Sequence, residues 1–277
     1  MKMKKILQAK VVGHPANKYL EHDQEGKIVG VTSQGLFIST FENHILFVTH
    51  QLFKGPLTIN VPGQLLYGSQ KPGQIVRLSR NRIVFENNQS TVEIEGAQIW
   101  QAEIPQSRRR SLQESWERFQ QISTQNFSEI GTLPQWEAIS SLGDWFNYVQ
   151  GLIGAGEGLT PVGDDIILGL VLILNRHEGK KFKFPELKRF NQQIIDLAKE
   201  QTNMLSSNLI TCASSGWADE RITRVCNHLL FDECLRTTDM GNLFTWGSTS
   251  GKQVWQGMGA GLSLLINMHR KYTAYSH

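Results

Sequence analysis

With 277 residues, 40% of them hydrophobic and 19% charged, the chain can build one large core or two smaller ones, which excludes a disordered polypeptide. A formal net charge of +3 is too close to neutral to mark a nucleic-acid partner. Cys212, Cys226 and Cys234 form no Cys-x-x-Cys pair, so neither a disulfide framework nor a zinc knuckle is expected, and a reducing, cytoplasmic compartment is.

The basic N-terminal stretch MKMKKILQAKVVGH lacks the long apolar run and small-residue cleavage site of a signal peptide. Residues 1–104 read as a β-rich domain. Short β-branched or alternating runs lie at Ile28–Thr32, Gly35–Phe41, His44–Val48, Leu57–Val61, Ile75–Leu78, Arg82–Phe85 and Thr91–Ile94. Turn formers separate them, at Ser33-Gln34, Glu42-Asn43, Pro62-Gly63, Lys71-Pro72-Gly73 and Glu86-Asn87-Asn88. Strands at this spacing predict a small barrel or sandwich. The half carries no catalytic motif, and His44 and His50, on or beside strands, read as structural.

Ile104-Pro105 opens a linker whose basic cluster, Arg108-Arg109-Arg110, reads as a solvated face. Residues 105–277 then follow helical spacing. Leu112, Trp116, Phe119 and Ile122 recur behind Ser111 as N-cap, and further helices are predicted at Leu142–Leu152, Pro161–Arg176, Pro185–Asn208, Asp219–Leu229 and Ser250–Arg270. The fold class is therefore α+β, a barrel- or sandwich-like domain followed by a mostly helical one. The apolar run Ile166–Leu174 is shorter than the ~20 residues of a membrane span, and no membrane partner is expected.

The informative segment runs Leu152-Ile-Gly154-Ala-Gly156-Glu-Gly158-Leu-Thr160-Pro161-Val-Gly163-Asp164-Asp165. Gly154, Gly156 and Gly158 permit positive φ and close approach of a ligand to the backbone. Thr160 is placed to cap a helix and Pro161 to occupy its first position. The remaining N–H groups and the positive end of the helix dipole make an anion site. Such loops and caps also occur for purely structural reasons. Here, however, Gly163 leads into two adjacent carboxylates, Asp164 and Asp165, at the start of an apolar helix, and buried carboxylates need partners. Backbone N–H groups attract an anion while the carboxylates repel one. One ligand can satisfy both if Mg²⁺ bridges them, with Asp164 and Asp165 as its ligands, or if it carries an anionic end and an amide end.

Trp246-Gly247-Ser248-Thr249-Ser250-Gly251-Lys252 repeats the pattern of a small-residue turn into a helix. Its spacing and Gln253 after Lys252 fail the P-loop test. Ser248 and Ser250 can donate hydroxyls, and Lys252 can meet a phosphate or carboxylate as a point charge. Gly257, Gly259 and Gly261 admit a close neighbouring helix. Thr202 and Ser206, four residues apart, are predicted to share one helix face. No His-Glu-x-x-His motif and no Gly-x-Ser-x-Gly elbow is present.

These residues resemble the AllH-type family. The resemblance rests on Gly154-Ala-Gly156-Glu-Gly158-Leu159-Thr160-Pro161-Val-Gly163-Asp164-Asp165 before an apolar helix. It is supported by Thr202-x-x-x-Ser206, Ala213-Ser-Ser-Gly216, Gly247-Ser-Thr-Ser250-Gly251 and the β region from Gly35 to Ile59. The sequence departs from the family at Gln253, where a carboxylate is expected. The resemblance implies a subunit of oxamate carbamoyltransferase in anaerobic allantoin breakdown, working with other protein subunits. It converts oxalurate and phosphate to oxamate and carbamoyl phosphate. The phosphate-bearing species suit Gly154, Gly156, Gly158, Thr160 and Gly163, with Thr202, Ser206, Ser248, Ser250 and Lys252 nearby, and the amides suit Asp164 and Asp165. Two alternatives stand beside it: a non-catalytic metabolite-binding subunit of a multi-chain complex, and a metal-dependent phosphotransfer enzyme.

Overall fold

The structure is a computed structural model that describes residues 5–63, 70–88, 90–126, 139, 141–177 and 186–274. The chain divides into two compact units, Met1–Ala102 and Glu103–His277.

The first unit is one ten-stranded curled sheet built from β1 (Ile6–Gln8), β2 (Val11–Gly13), β3 (Gln24–Val31), β4 (Gly35–Ser39), β5 (Ile45–Thr49), β6 (Thr58–Asn60), β7 (Ile75–Ser79), β8 (Arg82–Phe85), β9 (Ser90–Glu93) and β10 (Gln98–Trp100), with a short helix α1 (His14–Tyr19). The order is β1-β9-β8-β7-β3-β4-β5-β6-β2-β10. Only Ala9 and Lys10 separate β1 from β2, yet β1 pairs with β9 and β2 with β6 and β10, so the sheet curls back on itself. This is the barrel-like form of the expected β unit. Alternation fixes the register: Ile28, Ile38, Leu46, Val48, Val76, Leu78, Ile83 and Val92 all turn into one core. The β3–β4 turn is set by Thr32, whose hydroxyl accepts from the N–H groups of Gln34 and Gly35.

The second unit is helical: α2 (Leu112–Asn126), α3 (Leu142–Gln150), α4 (Val162–His177), α5 (Leu187–Gln201), α6 (Met204–Ser214), α7 (Glu220–Leu230), α8 (Thr237–Phe244) and α9 (Ser250–Ala274). Its core is α4, where Ile167, Leu170, Val171, Leu172 and Ile173 are fully buried. Helix α9 packs on it backbone to backbone. A methyl at Gly257 would lie 2.0 Å from the Ile166 carbonyl oxygen, one at Gly169 2.1 Å from that of Val254, and one at Gly261 3.0 Å from Ile173. Thr160, just before α4, meets Ser250 at the start of α9, and Ile173 near the end of α4 meets Gly261 further along α9, so the two helices are parallel. Gly259 instead receives the ring of Phe119, which stacks on Trp255 at 4.6 Å. Helix α6 is also parallel to α4: Thr202, just before it, bonds to Asp164 at the start of α4, and the Gly216 carbonyl, just after it, accepts from Arg176 at the end.

Three expectations are corrected. The helix expected over Pro185–Asn208 is two helices, broken at Thr202 (φ −127°, ψ 179°), because Asn203 turns its side chain onto the Ser206 N–H and starts a new helix; Pro185 lies outside the described residues. Thr202 and Ser206 consequently do not share a helix face. The basic cluster is not a solvated face. Arg109 donates to the carbonyls of Arg176 and His177 at 3.0 and 2.7 Å, and Arg110 to those of His228 and Phe231 at 3.3 and 2.9 Å; both thus neutralise helix C-termini. Of the three, Arg108 alone is exposed, paired with Glu114. Elements absent from the sequence reading are β1, β2, β10, α1 and α8.

The glycine contacts give a paired expectation. Gly257→Ala should cost about 3 kcal/mol or more, because the colliding atom is backbone and cannot rotate away. Gly241→Ala, within α8 where nothing lies within 4 Å, should raise stability by ~0.5–1 kcal/mol through helix propensity. Denaturant unfolding of both variants checks the pair; equal and small effects would contradict the backbone contact.

Candidate functional site

Helix α4 begins at Val162, one residue later than expected, and the Pro161 carbonyl accepts the first ladder bond from the Asp165 N–H at 3.2 Å. Thr160 does not cap it. Its hydroxyl instead donates to Asp165 Oδ2 at 3.3 Å and lies 3.0 Å from Ser250 Oγ. The glycine loop wraps this helix start. Gly154 (φ 72°) packs so closely that a methyl would sit 2.5 Å from the Gln201 carbonyl oxygen. Gly156 (φ 106°) lies over the Val162 nitrogen, and Gly163 has no room for a side chain against the Leu152 carbonyl. The Gly163 N–H, which the sequence offers to an anion, donates to the Ala155 carbonyl at 3.0 Å. Gly158 (φ 108°) lies in the exposed rim with Ala155, Glu157 and Leu159.

Both carboxylates are buried, at 2% exposure each, and they are held differently. Asp164 accepts from the Gly154 N–H at 2.8 Å through one oxygen and from the Thr202 hydroxyl through the other. It thereby ties the glycine loop and the entry to α6 onto α4. Asn203, which the sequence reading did not single out as a site residue, adds a second tie by donating from Nδ2 to the Leu159 carbonyl at 3.1 Å. Its signal was the residue type alone, since asparagine is among the preferred N-caps. The Asp165 carboxyl is instead held by hydroxyls, those of Thr160 and Ser250. Burial pushes it up to about 7, helped by the neighbouring charge of Asp164, while the two hydroxyl bonds pull the other way.

The second turn joins α8 to α9. Gly247 (φ 70°) makes the bend, and Gly251 packs against the Leu243 carbonyl, with room for no side chain. This delivers Ser250 to Thr160. Ser248 and Lys252 lie on the same turn with their side chains exposed. Ser206, in the first turn of α6, is 1% exposed and its hydroxyl is buried without a hydrogen-bond partner. The residues brought together are thus Gly154, Asp164 and Thr202 on one side, and Thr160, Asp165 and Ser250 on the other.

Mg²⁺ does not fit this donor set. Both oxygens of Asp164 and the Asp165 carboxyl already take hydrogen bonds, and among the described residues no three His, Cys, Asp or Glu side chains gather to hold a metal. Burial pushes the Cys212 and Cys226 thiols up to about 12, which makes both poor nucleophiles. No helix among the described residues is long and apolar enough to cross a membrane.

Fold and site define an α+β protein whose helical unit gathers two buried aspartates at the start of parallel helices. In this unit, the model of the family described as oxamate carbamoyltransferase subunit AllH, which the sequence resembles, matches residues 152–262. The match opens at Leu152 and closes at Leu262, so it contains both glycine turns and every aspartate contact above. No curated protein and no solved structure matches the chain.

A proton held by Asp165 makes stability pH-dependent. The folded carboxyl binds its proton more tightly than the unfolded one, whose pKa is ~3.9, so stability is highest below about pH 4 for this group and falls as pH rises toward 7. Asp165→Asn should remove that fall, leaving the variant on the order of 3 kcal/mol more stable than the wild-type chain at pH 8 relative to pH 4. Melting temperatures across this range test it; parallel curves would show that Asp165 titrates normally.

Proposed function

We propose that this chain is a subunit of an oxamate carbamoyltransferase that interconverts oxalurate plus phosphate with oxamate plus carbamoyl phosphate, in the cytoplasm, late in allantoin breakdown. The observation that carries the reading is the coincidence of the family match with the segment that builds the aspartate site. The chemistry suits the residues. The exposed part of the glycine loop presents backbone to a phosphate, and Lys252 supplies an exposed cation on the facing turn. An amide-orienting role for Asp165 is supported by its being held by hydroxyls, which can exchange hydrogen-bond partners. Phosphate held against the carbamoyl carbon would gain chiefly from positioning and from stabilisation of developing charge.

A second reading, a metabolite-binding subunit whose partners perform the chemistry, is favoured by one observation: both oxygens of Asp164 are already engaged within the chain. The two readings share a ligand and differ in turnover.

The isolated chain is expected to gain stability with phosphate, carbamoyl phosphate, oxamate or oxalurate, by about 2.7 kcal/mol at 100 times the dissociation constant. Carbamoyl transfer is expected only after the remaining subunits are added, and Asp165→Asn in this chain should abolish it. Stabilisation by nucleotide with Mg²⁺ alone would overturn the carbamoyl reading. Full transfer by the assembled enzyme carrying Asp165→Asn would favour the binding-subunit reading.

A further inference from the structure

The two aspartates are neighbours in sequence and equally buried, but their surroundings differ in kind. Asp164 is bound by a backbone N–H, which can only donate, and by Thr202. The Asp164 oxygen that meets the Gly154 N–H can only accept. Asp165 is bound by hydroxyls, and those of Thr160 and Ser250 also touch each other at 3.0 Å. Hydroxyls both donate and accept, so this cluster can rearrange when the carboxyl gains or loses a proton. A second feature points to a ligand. The Ser206 hydroxyl is buried without a partner, a state that costs free energy unless another group completes it. Ser206 is the third residue of α6, as Asp164 is the third of α4, and the two helices run parallel from the Asp164–Thr202 contact. Side chains lean toward the helix N-terminus, so this hydroxyl leans toward the aspartate end.

We propose that the two aspartates have separate roles. Asp164 is a positioning residue that locks the glycine loop to α6, and Asp165 is the catalytic acid–base that protonates the amide nitrogen leaving the carbamoyl carbon. This rests on the carbamoyl-transfer reading. In the phosphorolytic direction an oxygen of hydrogen phosphate bonds to the carbamoyl carbon of oxalurate. The bond from that carbon to the oxamoyl nitrogen breaks, and its electron pair stays on nitrogen. The nitrogen takes the proton of Asp165, giving the amide of oxamate, and the proton of hydrogen phosphate restores Asp165. The reverse reaction uses Asp165 as the base.

The electrostatics agree. Burial pushes the Asp165 carboxyl up to about 7, where a group can both give and take a proton at neutral pH. Asp164 is the charged neighbour on its own helix. Glu157 on the loop and Lys252 on α9 are exposed, and the first turn of α6, Met204–Ser207, carries no charge. Two buried carboxyls whose environments diverge are the usual basis for separate acid and scaffold roles.

Two measurements test the division. In the isolated chain, infrared titration of the wild type minus Asp165→Asn should show a protonated carboxyl lost near pH 7; a carboxylate already present at pH 5 overturns the proposal. In the assembled enzyme, kcat/KM for oxalurate and phosphate should carry a pH limb near 7. Ser250→Ala should move that limb to higher pH by removing a hydrogen bond that lowers the Asp165 pKa. Asp165→Asn should abolish the limb and about 10²–10⁴-fold of the rate. Asp164→Asn should lower the melting temperature and keep the limb, moved to lower pH by the loss of a neighbouring charge that raises the Asp165 pKa. A limb indifferent to Ser250→Ala, with Asp165→Asn still active, overturns the division while the carbamoyl reading stands. Absence of any transfer by the wild-type assembly overturns the reading and the catalytic role together.

Discussion

Three helices, α4, α6 and α9, run parallel with their N-termini at one end, and the rest of the helical unit answers to that arrangement. Each start carries the positive end of a helix dipole, and gathering three is unfavourable unless negative charge is supplied. The Asp164 carboxylate supplies it where α4 meets the entry to α6, and the hydroxyls of Thr160 and Ser250 hold the neighbouring Asp165. The opposite end of α4 shows the complementary solution: Arg109 donates to its last carbonyls, and the buried Arg176 guanidinium reaches the Gly216 carbonyl beyond α6. In α4 the chain places acid in the first turn and base in the last.

The parallel packing also explains the glycines. Helices α4 and α9 touch backbone to backbone at Gly169, Gly257 and Gly261, and that contact brings the α9 start beside the α4 start. Only then can Ser250 reach Thr160 and join the Asp165 cluster. The alternating glycines of the loop serve the same end. Gly154 and Gly156 let the loop fold over the helix start, and the rim around Gly158 is left exposed.

The sequence displayed this arrangement unevenly. Alternation in β4, β5 and β7–β9 and the apolar periods of α4 and α9 were legible because each reports a local face. Strands β1, β2 and β10 were not, since each is three residues long and pairs with distant partners. The break at Thr202 was masked by apolar spacing that continues from α5 into α6, although Asn203 carried the cap. Arg109 and Arg110 look solvated in one dimension because the carbonyls they neutralise lie more than sixty residues away. At the site, the glycines and aspartates stood out at once. What sequence could not convey was which carboxyl is locked and which is poised, because that depends on Thr202 and Ser250 arriving from other helices.

Asp164 is the junction on which the account turns, since its carboxylate contacts both the loop and the entry to α6. A double-mutant cycle between Asp164→Asn and Thr202→Val, read by denaturant unfolding, measures that junction without ligand or partner. A coupling energy of about 1–3 kcal/mol is expected for a buried hydrogen bond between them. Additive effects, with coupling below about 0.5 kcal/mol, would contradict it and leave the helix starts merely adjacent.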